Sequence, residues 1–260
     1  MKVVILCGGL GTRLREETEF RPKPMVPIGP RPILWHIMKF YAHYGFKEFI
    51  LCLGYKGEVI KEYFYNYQWH RSDVTLKLGA KPEITFHNQH SEEDWTVTLV
   101  DTGAATMTGG RVRQAFAHIP AGDKEFLLTY GDGVANVDLP EAIKFHRAQG
   151  TLATVTAVQP TGRFGELSLE GDKIMNFREK PEGEAAYVSG GFFVLNRGIE
   201  AYLGQKDDCI FEQTVLPALA SKGQLSAYRH DGFWQCMDNL REVEMLNKMW
   251  SNGQAPWKVW

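Results

Sequence analysis

"VVILCGGLGTRLREETEFRPKPMVPI", residues 3–28, is the stretch from which the fold is read. Four apolar residues, Val3 to Leu6, run through Cys7 into Gly8, Gly9 and Gly11. A short apolar run that ends in glycines predicts a buried strand feeding a tight turn into a helix. The glycines let backbone N–H groups close on an anion, and Thr12 and Arg13 add side-chain donors. Arg13 carries a planar fork that bridges two phosphate oxygens, while Lys23 is a point charge for the same group. Pro22 and Pro24 are expected to hold Lys23 on a stiff extended segment, so that little entropy is lost in aiming it. This order of backbone freedom and positive charge suits a phosphate-bearing ligand.

Two common phosphate loops do not fit. A dinucleotide fingerprint that began at Gly9 would need a third glycine where Leu14 stands, and a Walker loop that began at Gly8 would need one where Arg13 stands.

Outward from this stretch, strand-like and helix-like segments alternate. "EFILCLG", "TVTLVDTG" and "EFLLTYGDG" read as strands; "PILWHIMKFYAHYG", "KGEVIKEYFYNY", "TGGRVRQAFAHI" and "LPEAIKFHRAQG" have helical spacing. The pattern predicts an α/β fold, a mainly parallel mixed sheet flanked by helices, in one domain spanning residues 1–260. Residues 73–95 break the alternation and read as an inserted hairpin that packs on another subunit, making a homo-oligomer. The part from 151 to 235 is strand-rich, with a hairpin around "EGDK", and helical stretches near 210–221 and 239–250 follow. In open sheets of this kind ligands sit beyond the carboxyl ends of the strands, so the glycine loop and "YGDG" should share one edge. Asp132 of that second segment, held between Gly131 and Gly133, is placed to bind a hard cation and, through it, a phosphate.

Composition narrows the class. With 29 basic and 31 acidic residues, the formal charge of −2 argues against a general nucleic-acid or membrane-surface binder. Cys7, Cys52, Cys209 and Cys236 form no C-x-x-C pair, which favours reduced thiols over a disulfide framework or zinc site. No apolar run approaches the ~20 residues of a membrane span, and the expected location is the cytoplasm. The histidines are scattered, and no histidine or cysteine nucleophile is implied.

"GGLGTRL…PKPM" resembles the signature of the sugar-1-phosphate nucleotidyltransferases, whose G-G-x-G-T-R-L-x-P-L-T-x-x-x-P-K-P spacing the chain keeps through Thr18, with Glu16 and Glu17 where Pro-Leu is common. The resemblance runs through nearly the whole chain and implies a Rossmann-like nucleotidyltransferase fold. It also implies that Leu6, Cys7, Gly8, Gly9, Leu10, Gly11 and Thr12 wrap a nucleoside triphosphate, with Arg13 and Lys23 steadying its phosphates catalytically. Gly131 joins the nucleotide site, and "ATMTGGRVRQAF" is similar to the segment whose backbone reads the base. Thr108 aligns there, and Arg111 stands where a small residue is usual, within reach of the nucleotide. The metal, Mg²⁺, falls to Asp132 and to Asp238 of "GFWQCMDNLRE"; Asp238 also reads as a helix cap. "FREKP" and "SGGFFVLN" assign Glu179, Lys180 and Gly191 to the sugar phosphate. Among the branches of the family the chain looks closest to the one that joins CTP to α-D-glucose 1-phosphate. That choice rests on likeness, and UTP- or dTTP-using branches stay open. A silent regulatory subunit would be expected to lose the arginine, the lysine or an aspartate. A metal-dependent glycosyltransferase would want a D-x-D pair, which "GDGVANVD" lacks.

Overall fold

The computed structural model describes residues 1–87, 94–160 and 186–260, together with the backbone of 166–170 and 173–178. Seven strands form one sheet: β1 Val3–Leu6, β2 Glu48–Leu53, β3 Thr96–Asp101, β4 Glu125–Tyr130, β5 Ala153–Val158, β6 Val188–Asn196 and β7 Leu225–His230. Their order across the sheet is β7-β5-β6-β4-β1-β2-β3. Every neighbouring pair is parallel except the two that involve β6, which runs against β4 and β5. The sheet is thus mixed and mainly parallel, as the alternation of segments predicts.

Alternation along β1 shows why both faces must be covered. Val3 and Ile5 point to a cluster that takes in Leu34, Ile37 and Tyr41 of helix α1 (Ile33–His43). Val4 and Leu6 point the other way, to Val112 and Ala115 and to Phe211, Val215 and Leu219. Successive side chains of a strand leave on opposite faces, so a strand without polar residues needs an apolar layer on each side. Helix α2 (Gly57–Tyr65), helix α3 (Thr108–Ala115), helix α4 (Leu139–Gln149), helix α5 (Leu216–Ser221) and helix α6 (Leu240–Ser251) complete the layers.

The sheet order reverses between β1 and β4. From β1 the chain builds outward through β2 and β3, then returns to place β4 on the other side of β1. The carboxyl ends of β1 and β4 therefore open side by side, where a parallel sheet leaves a crevice. A small antiparallel pair, 133–135 with 234–236, carries the chain from β4 to the segment before α6.

Three local expectations change. The residues 210–221 do not form one α-helix: Phe211–Val215 is a wider π turn, and α5 begins only at Leu216. Pro22 is extended, but Lys23–Met25 is a 3₁₀ turn closed by Met25 N–H donating to Pro22 O at 2.8 Å. Pro24 fits there because the start of a helical turn needs no N–H from it. The cap of α6 is Asn239, which forms a reciprocal box with Glu242, so Asp238 is left free of that duty. The inserted hairpin is present as Val74–Lys77 paired with Glu83–Phe86, and strands 166–170 and 173–178 pair around the predicted turn.

Candidate active site

A cleft of about 460 Å³ opens at the carboxyl ends of β1 and β4, lined by residues 6–13, Lys23, Pro24, residues 104–108, Arg111 and residues 130–132. It brings together every expected nucleotide residue, Leu6, Cys7, Gly8, Gly9, Leu10, Gly11, Thr12, Arg13, Lys23, Thr108, Arg111 and Gly131, along with Asp132.

The glycine loop is shaped by specific contacts. Gly11 has φ +64°, and a Cβ there would lie 2.6 Å from Thr18 Cγ2. Thr18 is buried, and the single hydroxyl hydrogen on Oγ1 is shared between Gly11 O at 3.0 Å and Leu14 O at 2.8 Å. A side chain at Gly9 would meet nothing within 4 Å, which leaves that backbone open to a ligand. Gly8 differs: a Cβ there would sit 2.2 Å from the Arg111 guanidinium carbon. Arg111 is buried under the loop and donates to Leu53 O at 2.8 Å, Gly8 O at 3.1 Å and Thr102 Oγ1 at 2.6 Å. It borders the cleft, yet most of its guanidinium hydrogens already hold the floor of the loop to the end of β2. The glycine at 8 is thus required by the protein's own arginine as well as by any anion.

At the cleft's mouth the charges converge. Lys23 Nζ lies 2.6 Å from Asp132 Oδ2 and 2.5 Å from Asp238 Oδ1, with its side chain only 10% exposed. Arg13, 76% exposed, donates from NH1 to Asp238 Oδ2 at 2.6 Å. Met237 N–H donates to Asp132 O at 2.8 Å, and Pro24 packs over Gly131, where a Cβ would lie 2.8 Å from Pro24 Cγ. Three segments far apart in sequence are thereby held in register. Burial pulls the Lys23 ammonium down, but Asp132 and Asp238 outweigh it and hold the group above its ordinary value. Burial pushes Asp238 up, and Lys23 followed by Arg13 reverses that and leaves it below the usual carboxylate range. Lys23 and Asp238 therefore stay charged at neutral pH.

The pair of hard carboxylate oxygens fits a divalent cation of the kind that takes one or two carboxylates and completes its shell with phosphates and water. Lys23 sits between them as the positive charge they need. Among the described residues no group of three or more His, Cys, Asp or Glu is arranged to hold a metal by itself, and a cation here would need ligand oxygens to complete its shell. Cys236 lies beside this pair with Sγ 3.6 Å from Asp238 Oδ2; burial, then Asp238, pushes its thiol up to about 12. All four cysteines are unpaired.

Residues 104–108 line the cleft, and the backbone just after them is held by a neighbouring segment. Gly109 N–H donates to Cys209 O at 2.9 Å, and Met107 N–H to Asp207 O at 2.8 Å. A Cβ at Gly109 would strike Cys209 Sγ at 2.5 Å. Both N–H groups are thus engaged by the 207–209 segment, whose close approach at Gly109 depends on the missing side chain there. Glu179 and Lys180 lie outside the described residues. Gly191, at φ +78°, borders a small pocket with Asp132, Tyr130 and Trp234. Motif reading missed Tyr130 and Thr106, which line the cleft, and Glu212, which accepts hydrogen bonds from the cleft residues Thr108 and Tyr130. Tyr130 directly precedes "GDG" and so had a signal; Glu212 stands in an ordinary helical stretch and had none.

A family model described as nucleotidyl transferase matches residues 2–246. The glucose-1-phosphate cytidylyltransferase of Salmonella typhi is 52% identical over 260 residues, all of both chains. The probable glucose-1-phosphate cytidylyltransferase of Bacillus subtilis (strain 168) is 46% identical, again over all of both chains. Among solved structures, HddC from Yersinia pseudotuberculosis superposes with TM-score 0.69 at 22% identity, covering 96% of this chain and 99% of that one; at this identity the likeness is one of fold. With these full-length matches and the crevice between β1 and β4, the chain belongs to the nucleotidyl transferase family.

Proposed function

We propose that the protein transfers the cytidylyl group of CTP to α-D-glucose 1-phosphate, with Mg²⁺, giving CDP-glucose and pyrophosphate. The observation that carries it is the convergence of Lys23, Arg13, Asp132 and Asp238 beside a cleft lined by the glycine loop and residues 104–108. The full-length likeness to the two cytidylyltransferases supports CTP and glucose 1-phosphate.

The attacking oxygen of a sugar phosphate is already anionic at neutral pH, so no strong general base is needed. What remains is positioning and charge stabilisation around an in-line attack on the α-phosphorus. Gly9 and Gly11 offer the backbone approach to the phosphates. Lys23 and Arg13 stabilise the charge that grows on the departing pyrophosphate. Asp132 and Asp238 would hold the divalent cation, which when bound neutralises α-phosphate charge. Glu179 and Lys180 are assigned to the sugar phosphate on the motif alone.

Pyrophosphate release with α-D-glucose 1-phosphate and Mg²⁺, measured separately with CTP, UTP, dTTP, ATP and GTP, tests this reading. Release with CTP well above the rest is expected; release led by UTP or dTTP would move the protein to another branch of the family.

The working form is inferred to be a homo-oligomer in the cytoplasm. The hairpin exposes Leu76 at 47% and Ile84 at 58%, with Leu78 at 86% beside them, a concentration of apolar surface that a second copy of the chain would cover. Among the described residues no helix is long and apolar enough to cross a membrane.

A further inference from the structure

Glu212 ties two walls of the cleft together. It lies in the π turn Phe211–Val215, opposite the start of α3. Thr108 Oγ1 donates to Glu212 Oε2 at 2.6 Å, while Phe211 N–H donates to Thr108 Oγ1 at 2.9 Å. The Tyr130 hydroxyl donates to the other carboxylate oxygen, Glu212 Oε1. A carboxylate only accepts, and a hydroxyl has a single hydrogen, so the direction of both bonds is fixed. Thr108 and Tyr130 both line the cleft. With their hydrogens turned to Glu212, they can offer a ligand only lone pairs.

We propose that Glu212 is a positioning residue that makes this wall of the cleft accept-only, and that the wall selects hydrogen-bond donors on the nucleoside. Two groups of CTP have that chemistry, a ribose hydroxyl and the exocyclic amine of the base. UTP replaces the amine with a carbonyl oxygen, and 2′-deoxy-CTP lacks one hydroxyl. A polar wall discriminates strongly against an analogue that lacks its partner, because the site's own group is then left unpaired. The proposal rests on the nucleotidyl-transfer reading only in taking the cleft's ligand to be a nucleoside triphosphate.

Calorimetric binding of CTP, 2′-deoxy-CTP and UTP, each with Mg²⁺, to the wild-type protein and to Glu212→Gln tests it. Glutamine keeps the shape, but its amide accepts from one hydroxyl and donates to the other, which then turns its hydrogen into the cleft. The expected result is about a tenfold loss of CTP affinity, together with a marked fall in the preference for CTP over one of the other two. A fall against 2′-deoxy-CTP assigns the ribose as the donor, and a fall against UTP assigns the base. An equal loss for all three nucleotides, or no loss, would overturn the proposal. Tyr130→Phe removes one acceptor and leaves the Thr108–Glu212 bond; it must lower the same preference, and an unchanged ratio in a folded variant overturns the proposal even where Glu212→Gln does not fold. Wild-type protein that binds CTP yet releases no pyrophosphate would overturn the proposed reaction and leave this binding comparison standing.

Discussion

Lys23 neutralises Asp132 and Asp238 and is also the cation assigned to the phosphates. A divalent ion entering between Asp132 and Asp238 has to compete with the ammonium placed 2.6 and 2.5 Å from them. Lys23→Met keeps most of the stem and removes the charge. Turnover, read as pyrophosphate release, is expected to fall about a hundredfold or more, which corresponds to roughly 2.7 kcal/mol of transition-state stabilisation. The same variant, without nucleotide, should bind Mn²⁺ more tightly than the wild type in a calorimetric titration. Near-normal turnover would remove Lys23 from the reaction. Gly191 supplies a second test at this scale. Its φ of +78° strains any L side chain, and a Cβ would lie 2.5 Å from Tyr130 Cδ2. Gly191→Ala should lower stability by about 1–3 kcal/mol in urea unfolding and raise the KM for the nucleotide as Tyr130 shifts.

At the scale of elements, the segment that follows Lys23 is held by a clasp of aromatic residues. His36 on α1 is fully buried; its Nε2–H donates to Ile28 O at 2.9 Å, and its Nδ1 accepts from Trp257 Nε1 at 3.4 Å. Trp250 on α6 meets the ring edge-on at 4.6 Å and also lies over Gly29, whose N–H donates to Asn247 Oδ1 at 2.8 Å. Both ring nitrogens are engaged, one as donor and one as acceptor, so a proton on Nδ1 would face the Trp257 donor. Burial foremost, with Arg31 and Lys258 also opposing the charge, lowers His36 from 6.5 to about 4, although bonds to backbone groups of Ile28 and Arg31 pull the other way. Between those values the unfolded chain binds a proton here that the folded chain does not, so stability falls as pH drops through the window. The full shift is worth at most about 3 kcal/mol. Thermal melts should show the wild type losing stability from pH 7 to pH 5. His36→Gln should melt lower at pH 7 but change less across the window; an equal slope in both proteins would exclude His36 as the source.

Over the whole molecule, β3 is an edge strand of the sheet, and the hairpin follows α2, whose Tyr65 is 91% exposed. Edge strands left bare invite pairing, and Val97 and Leu99 of this one line a surface pocket together with Tyr65. Replacing Leu76 and Ile84 together by lysine is expected to lower the assembled state seen in analytical ultracentrifugation without lowering the melting temperature of the separated subunit by more than a few degrees. A wild-type protein that sediments as a monomer at all concentrations would remove the oligomer from the reading. The cleft itself depends on long-range order, since residues near 10, 23, 110, 130 and 238 meet only once the sheet is built.

Much of this was legible in one dimension. Val3–Leu6 before the glycines, repeated by apolar runs near 50 and 127, required a sheet covered on both faces, because such strands cannot leave either side in water. Arg13, Lys23 and Asp132 stood out since their residue types and backbone neighbours already declare phosphate and cation chemistry. Other features were decided only in three dimensions. That Arg111 lies under the glycine loop, that the "TGG" backbone turns to Cys209, and that Glu212 orders two hydroxyls are outcomes of which segments approach which. Each depends on contacts between residues 58 to 104 positions apart, and local spacing carries no information about them. The sequence by itself determined the layers, the ligand class and the edge where the cleft opens. The tertiary structure decided the direction of each hydrogen bond at that edge, because direction follows from the partner that packing delivers.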